Sequence, residues 1–124
     1  MQNNQWEEIK NFTKEEFQCS CGCGQEDMNF KFIKRIDEAR EVANLPFNIN
    51  SGYRCESYNK EILGSKKSSH MANLAVDISC NDSRSRFKII DALMEVNLTR
   101  IGVADTFIHV DADNNKLQDL VWVY

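Results

Sequence analysis

The sequence predicts an α+β fold: a small antiparallel sheet with helices packed on one side. Two stretches, Phe30–Ala43 and Arg84–Val96, repeat apolar residues at three- and four-residue spacing, as half-buried helices do. Five short apolar or alternating stretches, near residues 47–50, 74–79, 101–104, 107–111 and 120–124, lie between turn residues, as strands do. At 124 residues, 42% hydrophobic and 27% charged, the chain suits one globular domain spanning 1–124 with a modest core.

Residues 1–18 scatter Trp6, Ile9, Phe12 and Phe17 among charges, which fits a short helix or turn packing aromatics onto the domain. Thr13 followed by Glu15 and Glu16 reads as a helix cap with acidic residues in its first turn. Cys19-Ser20-Cys21-Gly22-Cys23-Gly24 follows, its glycines suiting a tight turn at positive φ. Its thiols are candidates for a structural zinc with Cys55 as a distant fourth ligand, although the spacing is not the usual paired-cysteine pattern. A plain cysteine-rich turn is the competing reading. The five cysteines are an odd count, and no secretion signal precedes them, which favours free thiols or metal ligation over a complete disulfide framework.

In the helix Phe30–Ala43, Phe32, Ile33, Ile36, Ala39 and Ala43 form the apolar face. Asn44 is its expected C-cap, and Pro46 prevents continuation. Phe47–Asn50 alternates like a half-buried strand and runs into Ser51-Gly52, with Tyr53 and Arg54 next. Glu56–Leu63 reads as a short helix ended by Gly64, and residues 65–69 as a polar loop carrying Lys66 and Lys67. Asn81-Asp82-Ser83 caps the helix Arg84–Val96, with Phe87, Ile90, Leu93, Met94 and Val96 as its expected inner face. Arg84, Arg86 and Lys88 are expected on its solvated face. Ile101–Val103 opens a strand, Ala104-Asp105-Thr106 turns, and Phe107–Asp111 returns. Asp113-Asn114-Asn115 turns again before a last strand ending in Val121-Trp122-Val123-Tyr124.

The chemistry concentrates at Ser68–Asp77. His70 and Asp77 flank an apolar run, and the other histidine, His109, lies within the strand Phe107–Asp111. A carboxylate set among apolar residues is costly unless paired or bound to metal. Two His and one Asp from separate segments make a three-ligand zinc site with an open fourth position, the arrangement of a catalytic zinc. Arg54, at a strand end beside a glycine turn, is placed to grip a carboxylate or developing oxyanion with its planar fork. A net charge of -4 gives no general pull toward nucleic acid or an anionic membrane. No window reaches the apolar length of a membrane span, and the polar start does not read as a signal peptide.

Ser51-Gly52-Tyr53-Arg54, then Ser68-x-His70-x-x-Asn73-x-Ala75-x-Asp77, Ile101-Gly102 and Phe107-Ile108-His109-Val110-Asp111 together resemble the zinc D-Ala-D-Ala carboxypeptidase family. Within it the chain looks most like small phage peptidoglycan hydrolases and their bacterial carboxypeptidase relatives, whose fold the Hedgehog signalling domain shares. The match runs from about Phe12 onward and includes the cysteine-rich turn, which such phage members often carry. The resemblance implies one catalytic zinc held by His70, Asp77 and His109, with Arg54 meeting the substrate's carboxylate or carbonyl oxygen. It gives Ser68 a role in substrate binding or in hydrogen bonding behind the ligands. Two departures stand out. The motif glycine is Asn73, the non-glycine residue that best tolerates a left-handed backbone. Thr106 occupies the position three before the last ligand, where many relatives carry an acid or a histidine. Asp105 is then the expected general base, with Asp111, on the same strand face as His109, as runner-up and more naturally an orienting partner.

The implied activity is zinc-assisted hydrolysis of an amide in a peptidoglycan stem peptide or cross-bridge containing a D-amino acid. The alternative is a zinc-stabilised module of the same fold that binds peptidoglycan or a protein without cutting. A monomer made in the cytoplasm without a signal peptide is expected, reaching the wall through a holin, a virion or lysis.

Overall fold

The computed structural model describes every residue except Leu63, Ser65, Lys66, Lys67 and Ala72, and the side chain of Asn3. The described residues form an α+β fold with four helices, α1 Asn3–Trp6, α2 Phe30–Ala43, α3 Glu56–Glu61 and α4 Ser83–Glu95, and a 3-10 turn, Lys14–Phe17. Five strands, β1 Ile49–Ser51, β2 Ala75–Ser79, β3 Arg100–Val103, β4 Phe107–Asp111 and β5 Leu120–Val123, lie in the order β1-β2-β4-β3-β5. The polar loop expected around Lys66 and Lys67 lies largely outside the described residues.

The sheet is mixed rather than purely antiparallel. Strands β1, β2, β4 and β3 pair antiparallel, but β5 runs parallel to β3, with Arg100 opposite Leu120 and Val103 opposite Val123. The end of β4 lies opposite the start of β3, where Asp111 pairs with Arg100. The following turn has only to pass that end of β3 to lay β5 along its free edge. Direction is therefore set by the path of residues 112–119, which strand-like composition does not encode.

Period-two alternation gives this sheet two unlike faces. Val76, Ile78, Ile101, Ile108 and Val110 point to one side and belong to the buried core with residues of α2 and α4. Asp77, Arg100, His109, Asp111 and Trp122 point to the other and line a cavity. One face stabilises the fold, and the other is left for chemistry.

Helix α2 begins where Asn29 accepts a hydrogen bond from the Phe32 amide at 3.0 Å and ends at Asn44, whose φ of 54° is left-handed. It buries Phe32, Ile33, Ile36 and Ala39 completely or nearly so. Its buried Asp37 accepts from the amides of Lys10 and Asn11 at 2.9 and 3.0 Å, anchoring the N-terminal segment. There Trp6 and Phe12 pack on Phe17, with ring centroids 5.4 and 5.3 Å apart.

Helix α4 starts at Asp82, which accepts from the Ser85 amide at 2.9 Å. Its inner face matches the expected one only in part, with Leu93 buried and Ile90 and Val96 half-buried against the core. Ile89, Ala92 and Leu93 are buried, whereas Phe87 is 71% exposed and Met94 45%. The buried set sits at i, i+3 and i+4, and the two exposed apolar side chains fall outside it. Arg86 also departs from a solvated role, since its guanidinium donates to the Asp105 carbonyl at 3.2 Å and fastens the β3–β4 turn to α4. No helix among the described residues is long and apolar enough to cross a membrane.

Candidate active site

Antiparallel pairing brings the expected ligands together. Asp77 on β2 lies directly opposite His109 on β4. His70 comes from the turn before β2, where Asn73 takes a left-handed φ of 59° and its amide donates to the His70 carbonyl at 3.4 Å. That conformation is the one expected of the residue in the motif-glycine position. The ligand atoms of His70, Asp77 and His109 all lie within 4.8 Å of one another.

Each imidazole has one nitrogen fixed from behind. His70 Nδ1 is 2.7 Å from the Gly52 carbonyl, which accepts only, so Nδ1 carries the proton. His70 Nε2 then presents a lone pair, and it is buried without a hydrogen-bond partner among the described residues, 3.3 Å from Asp77 Oδ1. His109 Nε2 donates to Asp111 Oδ2 at 2.7 Å, and its Nδ1 faces Asp77 Oδ1 at 2.9 Å. Tetrahedral zinc with arms of about 2.0–2.1 Å holds its ligand atoms roughly 3.3 Å apart. Asp77 Oδ1 lies near that spacing from both inward nitrogens, at 3.3 and 2.9 Å, and a buried, orphaned imidazole lone pair is what a cation there would use.

Electrostatics point the same way. Burial alone would raise the Asp77 carboxyl, but its hydrogen bond with His109 and its close contact with the His70 imidazole outweigh it and hold it well below the usual carboxylate range. Burial would lower His109, yet its hydrogen bonds to Asp111 and Asp77 leave it raised above the ordinary imidazole value. Asp111 is likewise held low, its burial outweighed by hydrogen bonds from His109 and Arg100. A metal cation between His109 Nδ1 and Asp77 would take the place of any proton shared there.

Around this centre lies a cavity of about 340 Å³. Arg54 lines it with Nη2 3.7 Å from Asp77 Oδ2, and Ser68 lines it while its hydroxyl accepts from the His70 amide at 3.2 Å. Arg100 donates to Asp111 Oδ1 at 2.7 Å and to the Leu117 carbonyl, and lies over the Trp122 ring. Asp105 is not among the lining residues. It is exposed in the β3–β4 turn, beyond the paired residues whose alternation aims side chains at the cavity.

Sequence reasoning missed Arg100, Lys116, Trp122 and Tyr124, all of which line the cavity. Trp122 and Tyr124 share strand parity, a signal present in the sequence, but their relevance depends on β5 lying beside β3. Lys116 donates to Ser69 at 2.8 Å, and Ser69 donates to the buried Asp113 at 2.8 Å. This network ties the turn carrying His70 to the loop before β5.

With the fold and the donor set in place, comparison with protein families gives a match to Peptidase M15 over residues 10–111. The chain belongs to the Peptidase M15 family, a family of metallopeptidases. Comparison with curated proteins gives no match.

Proposed function

We propose that this chain is a zinc peptidase that hydrolyses an amide in a peptidoglycan stem peptide or cross-bridge containing a D-amino acid. The observation that carries the metal assignment is the buried His70 Nε2, without a hydrogen-bond partner among the described residues, facing Asp77 Oδ1 beside His109 Nδ1. His70 Nε2, an Asp77 oxygen and His109 Nδ1 would hold the ion. Bound there, zinc supplies Lewis-acid polarisation of a carbonyl and a water whose pKa falls to about 7.

The protein's own groups supply the rest. Gly52 and Asp111 fix the imidazole tautomers, so the inward nitrogens are ready as ligands without rearrangement. Arg54 offers a guanidinium to a substrate carboxylate or to the oxyanion of the tetrahedral intermediate. Lys116 adds positive charge to the lining, while Phe107 and Trp122 provide a wall for the peptide. These cationic groups favour a peptide bearing a carboxylate near the cleaved bond, as wall stem peptides do.

The attacking water needs a proton acceptor. Asp111 is committed, with Oδ2 to His109 and Oδ1 to Arg100 and the Asp113 amide. Asp105 is therefore the proposed base, and its turn has to bring the carboxylate to the cavity when substrate binds. Asp105→Asn tests this: hydrolysis lost with zinc retained supports the assignment, and unchanged hydrolysis removes it. The position of Asp105 in this structure favours the second reading, a zinc-stabilised module that binds wall peptide or protein without cleaving. That reading requires zinc-replete wild type to release no new amine termini from any wall chemistry.

A further inference from the structure

A second group of metal-ligating side chains lies outside the cavity. Cys19, Cys21 and Cys23 come from the turn after the 3-10 segment, and Cys55 caps the start of α3. Their four sulfurs lie within 4.8 Å of one another. Cys19 Sγ is 3.5 Å from Cys21 Sγ and 3.6 Å from Cys55 Sγ, and Cys21 Sγ is 3.8 Å from Cys55 Sγ. A disulfide needs about 2.05 Å, and all four thiols are free. Tetrahedral zinc with four sulfur arms of about 2.3 Å spaces its sulfurs roughly 3.8 Å apart. The observed separations sit near that edge length and far from the covalent one.

The surrounding backbone is built to hold the sulfurs there. Gly22 and Gly24 take φ of 85° and 77°, and a Cβ on either would meet nothing, so conformation rather than space explains the glycines. The Cys19 amide donates to the Gln25 carbonyl at 2.9 Å and closes the turn around the three cysteines. The Cys55 amide points at Cys19 Sγ from 3.4 Å, a donor suited to a thiolate. Cys21 and Cys23 are exposed, where unliganded thiols are open to oxidation.

We propose that Cys19, Cys21, Cys23 and Cys55 form an all-cysteine site for a structural zinc ion, distinct from the His70–Asp77–His109 centre. On binding, each S–H bond is replaced by a sulfur–zinc bond and the four protons pass to solvent. The ion cross-links the N-terminal segment to the residue immediately after Arg54. The Gly52 carbonyl that fixes His70 and the guanidinium that lines the cavity both lie within that clamped segment. Loop closure between residues 23 and 55 makes the binding energy part of the folding energy.

The test uses the reduced full-length chain. Zinc per chain is counted for wild type, His70→Ala and the double variant Cys21→Ser/Cys23→Ser, and wild type is titrated with cobalt(II). Two zinc ions are expected in wild type and one in each variant. Cobalt should give a sulfur-to-metal charge-transfer band in the near ultraviolet, which the sulfur-free His/Asp centre is unable to produce. That band also tests the proposal where the double variant fails to fold. A wild type without the cobalt–thiolate band overturns the proposal, as does mass-spectrometric detection of disulfides among these cysteines in metal-replete protein. Failure of the His/Asp assignment would leave the band intact, so the two outcomes are distinguishable.

Discussion

Asp111 shows how one side chain can govern a site it need not ligate. It is 2% exposed and takes hydrogen bonds from His109, Arg100 and the Asp113 amide. Its hold on His109 Nε2 directs Nδ1 toward Asp77. Asp111→Asn keeps the shape but weakens that acceptor, so zinc affinity should fall about 10- to 100-fold, measured by competition with a chelator. Unchanged affinity would deny Asp111 this orienting role. Asn73 makes the complementary point about backbone. At φ 59° a Cβ-bearing residue without a local polar side chain is strained, so Asn73→Ala should cost about 1–2 kcal/mol in chemical denaturation. Asn73→Gly should cost far less. Equal losses from the two would mean that the Asn side chain, not the φ angle, matters there.

At the level of elements, α4 buttresses the sheet through its inner face and holds the β3–β4 turn through Arg86. Its start depends on Asp82, whose carboxyl is lowered mainly by the Ser85 amide. A carboxyl depressed in the folded state stabilises the fold above its unfolded value, ordinarily 3.8, and loses that contribution as pH falls through its folded value. Thermal melts of Asp82→Ala should therefore lie below wild type at neutral pH, with the gap narrowing in strong acid. A gap independent of pH would show that the carboxylate charge contributes nothing to the cap. The same helix exposes a limit of sequence reasoning. Its existence, its cap and the inward Leu93 were legible, but Phe87 and Met94 look like core residues, and only packing shows that Ile89 and Ala92 face inward. Strand β5 was equally legible as a strand, whereas its parallel pairing with β3 was not. Composition marks a strand and leaves its partner to the path of the chain.

Across the whole molecule, the sheet separates the demands of folding and chemistry by face. Asp77, His109 and Asp111 were legible because strand parity places them on the side opposite Val76, Ile108 and Val110. His70, Arg54 and Ser68 were legible through the ordered motifs around them, and all three line the cavity. The Asp105 expectation rested on distance along the chain, and the turn leaves that residue outside the lining. The four-cysteine cluster was only half legible, because bringing Cys55 to the turn of residues 19–23 is a property of the fold. The central claim, a zinc-dependent wall peptidase, is tested most directly by mass spectrometry of peptidoglycan digested with zinc-replete wild type beside His70→Ala. New amine termini should appear with wild type and disappear with the variant. Termini released equally by both, or by neither, would contradict it.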